Sequence, residues 1–171
     1  MKIKIAVVPL VLMVSSCATG SGPGLGMRFQ EPYPGALGGG VHGGLDINVS
    51  IGTPVRSPAD GEVSMVTIYN INGIHTNVLE IKHEIDGVKW RSRYIHIDYT
   101  RKLNRGDRVR RGEIVAHTSW NGPAGPFSSM STPYPHLHFE IYREGIPTDP
   151  EALKMSCGDT GWLWPVGCKS N

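Results

Sequence analysis

Residues 77–97 read NVLEIKHEIDGVKWRSRYIHI, two alternating apolar stretches on either side of Asp86-Gly87. Alternation of period two is the mark of a half-buried strand, and Asp-Gly between two such strands is the residue pair of a type I′ hairpin turn. A two-residue turn fixes the register outward from itself. It pairs Ile85 with Val88, Ile81 with Ser92, Leu79 with Tyr94 and Asn77 with His96. His96 is thereby expected at the far end of the ladder, on the face of Trp90 and Tyr94.

The same grammar continues along the chain. Turn signals stand at Asp60-Gly61, Asn72-Gly73, Arg105-Gly106-Asp107 and Arg110-Arg111-Gly112, while helical periodicity is nearly absent apart from a possible turn in DPEALK, residues 149–154. No internal repeat is visible. The expectation is an all-β fold, one strongly curved antiparallel sheet or a small β-sandwich. The 171 residues suit one domain, and the Gly 22 and Pro 13 are scattered among apolar alternations, as in a turn-rich β protein. Charge excludes one class of partner: Lys2 and Lys4 account for the formal +2. The remaining chain is balanced and carries no basic stripe for nucleic acid.

Those lysines open MKIKIAVVPLVLMVSSC, residues 1–17. Its apolar run is too short to span a bilayer and ends in small residues, the pattern of a secretory signal. VSSC resembles the lipobox of bacterial lipoproteins, which implies lipid on Cys17, a membrane anchor and, because Ala18 rather than Asp follows, the periplasmic face of the outer membrane. Residues 18–28 have little to bury and read as a flexible tether. A domain over 29–155 and a tail over 156–171 follow. With Cys17 assigned to lipid, Cys157 and Cys168 form an even pair that suits a disulfide in an oxidising compartment.

In YPHLHFEIYREG, residues 134–145, alternation places His136, His138 and Glu140 on one face and Leu137, Phe139 and Ile141 on the other. Two imidazoles on one polar face suit a metal, a base, or one of each. His42 and Asp46 lie in GGGVHGGLDINVSIGTPV, residues 38–55. In a straight strand their Cα atoms would be about 13 Å apart, too far for one ion with bonds of about 2 Å. The chain has to bend between them, which Gly43 and Gly44 permit.

HGGLD (42–46), YIHID (94–98) and HLHFE (136–140), with the connecting IGTPVRSPADGEV, GDRVRRGEIV and REGIPTDPEAL, resemble the motifs and framework of the lysostaphin-like (LytM-type) zinc metallopeptidases from about Tyr33 to Leu153. That resemblance implies one zinc ion held by His42, Asp46 and His138, catalytic histidines at His136 and His96, and peptidoglycan as substrate. PYPGALGGGVH, residues 32–42, is similar to the segment ahead of the family's first ligand, which implies a transition-state role for Tyr33. Within that resemblance, a lipoprotein with a periplasmic-type disulfide suggests a Gram-negative wall, so the expected activity is that of a D,D-endopeptidase on D-alanyl-diaminopimelate cross-links. The chain departs from the family at Pro133 and Tyr134 and in a long loop over 120–131, expected to form a groove wall. The alternatives are a non-catalytic relative that activates a cell-wall amidase and a groove-binding scaffold lipoprotein; retention of all three ligands weighs against the first.

Other side chains are expected to be structural. His83 faces Trp90, His75 lies in a turn, and His117 ends a strand. Arg105, Arg108, Arg110 and Arg111 read as a solvated edge. Trp162 and Trp164 suit either a glycan contact or a disulfide loop folded over the core.

Overall fold

The computed structural model describes residues 23–33, 40–71, 74–99, 103–119 and 135–168. Asp86 and Gly87 both have positive φ, 53° and 74°, as a type I′ turn requires. They join β5 (Ile74–Ile85) to β6 (Val88–Tyr99). The ladder has the expected register from Ile85↔Val88 through Leu79↔Tyr94. It then slips: Val78 pairs with Ile95 and Asn77 with Ile97. The expected Asn77–His96 pair is therefore corrected, because His96 is the extra residue of a β-bulge.

Around this hairpin lie β1 (Gly24–Leu25), β2 (Leu45–Asn48), β3 (Pro54–Arg56), β4 (Gly61–Ile71), β7 (Arg108–Val109), β8 (Ile114–Thr118), β9 (His136–Arg143) and β10 (Ile146–Thr148). They form a single antiparallel sheet in the order β1-β2-β9-β6-β5-β4-β7, with β10 on β9 and β8 linking β3 to β6. The bulge marks a change of partner: Trp90 to Ile95 of β6 pair with β9, whereas Ile97 to Tyr99 pair with β8. His96 stands where the two partners diverge. DPEALK supplies a 3-10 helix, Pro150–Leu153, capped by the Asp149 side chain.

One face of the sheet is the core. Leu45, Ile47, Val63, Leu79, Ile81, Tyr94, Ile97, Leu137, Phe139 and Ile141 are buried on it, each contributing about 1.5–3 kcal/mol of apolar transfer free energy. The alternate positions on β2, β9, β6 and β5 carry Asp46, His138, Glu140, Arg93 and Glu80 to the other face. Register places them in a row. The sheet thus sorts an apolar layer from a charged one by period two alone.

One expectation about the ends changes and another is met. The tether does not extend to residue 28: Gly24 and Leu25 pair with Asn48 and Ile47, and Met27 O accepts from Asp46 N at 2.9 Å. Composition had hidden this, because backbone pairing needs no apolar side chain. At the other end, Cys157 and Cys168 are disulfide-bonded, closing a loop that lays Trp162 and Trp164 on the core. Arg111 does not belong to a solvated edge. Its guanidinium donates to the carbonyls of Gly158, Thr160 and Gly161 and ties this loop down. His75 falls within β5 rather than in a turn. The signal segment with Cys17, the 120–131 loop and Tyr134 lie outside the described residues.

Candidate metal centre

His42, Asp46 and His138 meet on the charged face. Asp46 and His138 are cross-strand partners on β2 and β9, so their side chains are neighbours by register. His42 precedes β2, and the chain bends at Gly44 to bring it back. That glycine also packs where no side chain fits: a Cβ there would stand 2.5 Å from Phe139 O, 2.9 Å from Glu140 Cγ and 3.0 Å from His138 Nε2. Neither Gly43 nor Gly44 has positive φ, so close approach to β9 is what demands glycine at 44.

Hydrogen bonds orient the two imidazoles. His42 Nδ1 lies 3.1 Å from Arg28 O, to which it donates, and His138 Nε2 lies 3.1 Å from Glu140 Oε1. Their other nitrogens face each other at 2.9 Å. Asp46 Oδ1 lies 3.1 Å from His42 Nε2 and 2.9 Å from His138 Nδ1. With both imidazoles neutral and protonated on the outer nitrogens, three electron pairs converge on one point. Such a trio calls for a cation, a metal ion or failing that a proton on His138 Nδ1, and its separations approach the ~3.3 Å edge of a tetrahedron with ~2 Å zinc bonds. Two imidazoles and a carboxylate are donors zinc accepts, and the residues fit that ion.

The electrostatics agree. Burial alone would drive the His138 pKa down, but hydrogen bonds to Asp46 and Glu140 and the charges of those carboxylates outweigh it, pushing the group up to about 9. For Asp46, burial opposes ionisation, yet His138 and His42 hold the carboxyl well below the usual range. The pocket attracts positive charge strongly enough to overcome desolvation.

The other expected residues adjoin this trio. His136 Nε2 is 3.7 Å from Asp46 Oδ1, and its ring lies 4.8 Å, edge to face, from that of His96. The bulge explains how His96 arrives: strict alternation would send it to the core with Tyr94, but the inserted residue adopts φ 65° and turns toward His136. A non-glycine residue with left-handed backbone is costly and concentrates at functional sites. Thr76 Oγ1 sits 3.4 Å from His96 Nδ1 and 3.3 Å from its backbone N. Tyr33 packs edge-on against His42, ring centroids 5.8 Å apart. Burial, then the charges of Asp46 and Glu140, raise its pKa, so the phenol keeps its proton as a donor.

Sequence reasoning missed the support behind these groups. Glu140 was placed on the right face without a role, and Arg28 was assigned to a tether. The alternation of Arg91 and Arg93 opposite Glu80 in the hairpin was the signal available for the charged row.

Comparison with known proteins follows the same lines. Residues 40–150 match the model of peptidase family M23, and the chain belongs to that family. It is 36% identical over 131 residues to glycyl-glycine endopeptidase ALE-1 of Staphylococcus capitis, covering 74% of this chain and 33% of that protein. The peptidoglycan DD-endopeptidase ShyB of Vibrio cholerae is 33% identical over 108 residues, 63% of this chain and 22% of that one. A zinc-containing peptidase from Vibrio cholerae superposes with TM-score 0.58 at 29% identity, over 74% of this chain and 35% of the other. This chain therefore spans about a third or less of the curated relatives' length.

Proposed function

We propose, from membership of family M23, that the protein is a zinc-dependent endopeptidase of bacterial peptidoglycan. The observation that carries this reading is the convergence of His42 Nε2, Asp46 Oδ1 and His138 Nδ1 beside two further histidines. These three residues would hold zinc, which when bound polarises a peptide carbonyl and lowers the pKa of water. His136 and His96 adjoin the ligand set without belonging to it, where imidazoles can take a proton from attacking water and return it to the leaving amine. Thr76 engages His96 through Nδ1, so Nε2 is the nitrogen turned away from Thr76. Tyr33, protonated and packed against His42, would donate to a developing oxyanion.

Metal analysis and digestion of purified sacculi test the reading together. Expected are one zinc per chain and release of soluble cross-link fragments. In H136A and H96A zinc stays while turnover falls about 10²–10⁴-fold. Zinc-replete protein that cleaves nothing but stimulates an amidase would instead support the activator alternative.

The finer assignment is D,D-endopeptidase activity on direct cross-links, supported by the likeness to ShyB and by a disulfide suited to the periplasm. Lipid on Cys17 would hold the domain at the outer membrane. Because β1 begins at Gly24, only six residues, Ala18 to Pro23, separate that anchor from the sheet, a reach of at most ~20 Å. Recovery of wild-type protein in the soluble or inner-membrane fraction would contradict this placement; C17S should be soluble and retain sacculus cleavage.

A further inference from the structure

Behind His138 the charged row continues across three more strands. Glu140 Oε1 accepts from His138 Nε2 at 3.1 Å, and Glu140 Oε2 accepts from the Tyr142 hydroxyl at 2.6 Å and from Arg93 Nη1 at 3.0 Å. Arg93 also donates through Nη1 to the Tyr142 oxygen at 2.8 Å, and through Nη2 and Nε to Glu80 Oε2 at 2.9 and 3.2 Å. Glu80 is 5% exposed and receives Ser64 Oγ at 2.9 Å on its other oxygen. The link from ligand to anchor therefore runs β9, β6, β5, β4, each step a register neighbour or its bulge.

His138, Tyr142 and Arg93 each give Glu140 a proton to accept. We infer that Glu140 is a positioning residue for the metal: by accepting from His138 Nε2 it fixes the tautomer that leaves Nδ1 bare, and Arg93, Tyr142 and Glu80 hold that carboxylate in place. The inference rests on the metal reading above and deepens it. A ligating histidine needs one specific nitrogen unprotonated, and the hydrogen bond on the other nitrogen decides which. Glu140 can serve only as an acceptor on both oxygens. An amide there cannot, since its NH2 must oppose either His138 Nε2–H or the Arg93 and Tyr142 donors. In the first orientation the imidazole relieves the clash by moving its proton to Nδ1, the nitrogen that faces Asp46.

Glu140→Gln is nearly isosteric and tests this directly. Zinc affinity, read by competition with a chromogenic chelator, is expected to fall about 10–100-fold, with the far-UV circular dichroism spectrum unchanged. In metal-free protein, at a pH alkaline enough to keep the ring neutral, ¹⁵N shifts should place His138 further toward the Nδ1–H tautomer in E140Q than in wild type, a change that a merely structural role would not produce. Tyr142→Phe keeps the carboxylate and removes one brace, so it should weaken zinc severalfold less than E140Q does. Wild-type protein that binds zinc alongside E140Q of equal affinity and tautomer overturns the inference alone. Wild-type protein without zinc overturns the metal reading and the inference with it. If E140Q does not fold, Y142F carries the test, and unchanged affinity there overturns the proposal.

Discussion

His138 and His83 are both buried histidines on the same sheet, each engaged through both ring nitrogens, and they make a natural pair of opposites. His83 faces the core: its Nδ1 donates to Asp60 O at 2.8 Å, its Nε2 lies 2.8 Å from Ser92 Oγ, and Trp162 packs edge-on against its ring. Those partners are neutral, and burial lowers its pKa. His138 faces the charged layer, where Asp46 and Glu140 raise its pKa instead. Burial is common to both. What separates a packing histidine from a ligand is whether the second nitrogen meets a hydroxyl that completes its hydrogen bonding or other bare electron pairs that do not.

The largest expected contrast comes from removing each ring. His138→Ala should abolish stoichiometric zinc and, with it, sacculus cleavage. His83→Ala should keep both zinc and cleavage while losing roughly 2–4 kcal/mol of stability in urea, because it opens a cavity and removes the buried hydrogen bonds to Asp60 O and Ser92 Oγ. Loss of zinc in H83A, or its retention in H138A, would break the division of labour between the two faces.

A smaller contrast uses two glycines, one against each histidine. A Cβ on Gly44 would meet Phe139 O at 2.5 Å and His138 Nε2 at 3.0 Å; one on Gly61 would meet His83 Nδ1, Ile81 Cγ2 and Lys82 O, all at 2.6 Å. Gly61→Ala should cost about 1–3 kcal/mol through overpacking with zinc affinity intact. Gly44→Ala should lower zinc affinity about tenfold or more, since its clash lies against a ligand and Glu140. Equal zinc affinities in the two variants would show that close packing at Gly44 does not set the ligand geometry.

The two regions were not equally legible. The Asp86-Gly87 turn and period-two alternation carried the hairpin register through Leu79↔Tyr94 because both are local. They failed at His96, where the exchange of β9 for β8 as partner inserts a residue, an event set by strands that begin 18 and 40 residues further along the chain. The ligand trio was readable from three motifs. Its supports were not: Glu80 opposite Arg93 follows from the hairpin register, but Arg93–Glu140, which ties that pair to the site, becomes a pair only once the strand order is known. The strap over 24–31 escaped notice for a different reason: it works through main-chain atoms, such as Arg28 O on His42, which composition does not encode.

The smallest effect is a dependence on pH carried by His83. Burial lowers its pKa from the ordinary 6.5, against the opposing pull of the Asp60 carbonyl and the Asp60 charge. A histidine depressed in the folded state resists a proton that the unfolded chain takes up. Its contribution is therefore fully present above about pH 6.5 and is lost as pH falls from there toward the folded value, with a slope of at most ~1.4 kcal/mol per pH unit. Other groups titrate in the same window, His138 in the opposite sense, so the absolute curve is a poor test. The difference between wild type and His83→Gln removes their contributions where they act independently. Measured by urea unfolding, the stability advantage of wild type over H83Q should shrink between pH 7.5 and pH 5. An advantage that stays constant or grows on acidification would mean that His83 is not held neutral by its surroundings, and the contrast with His138 would lose its electrostatic basis.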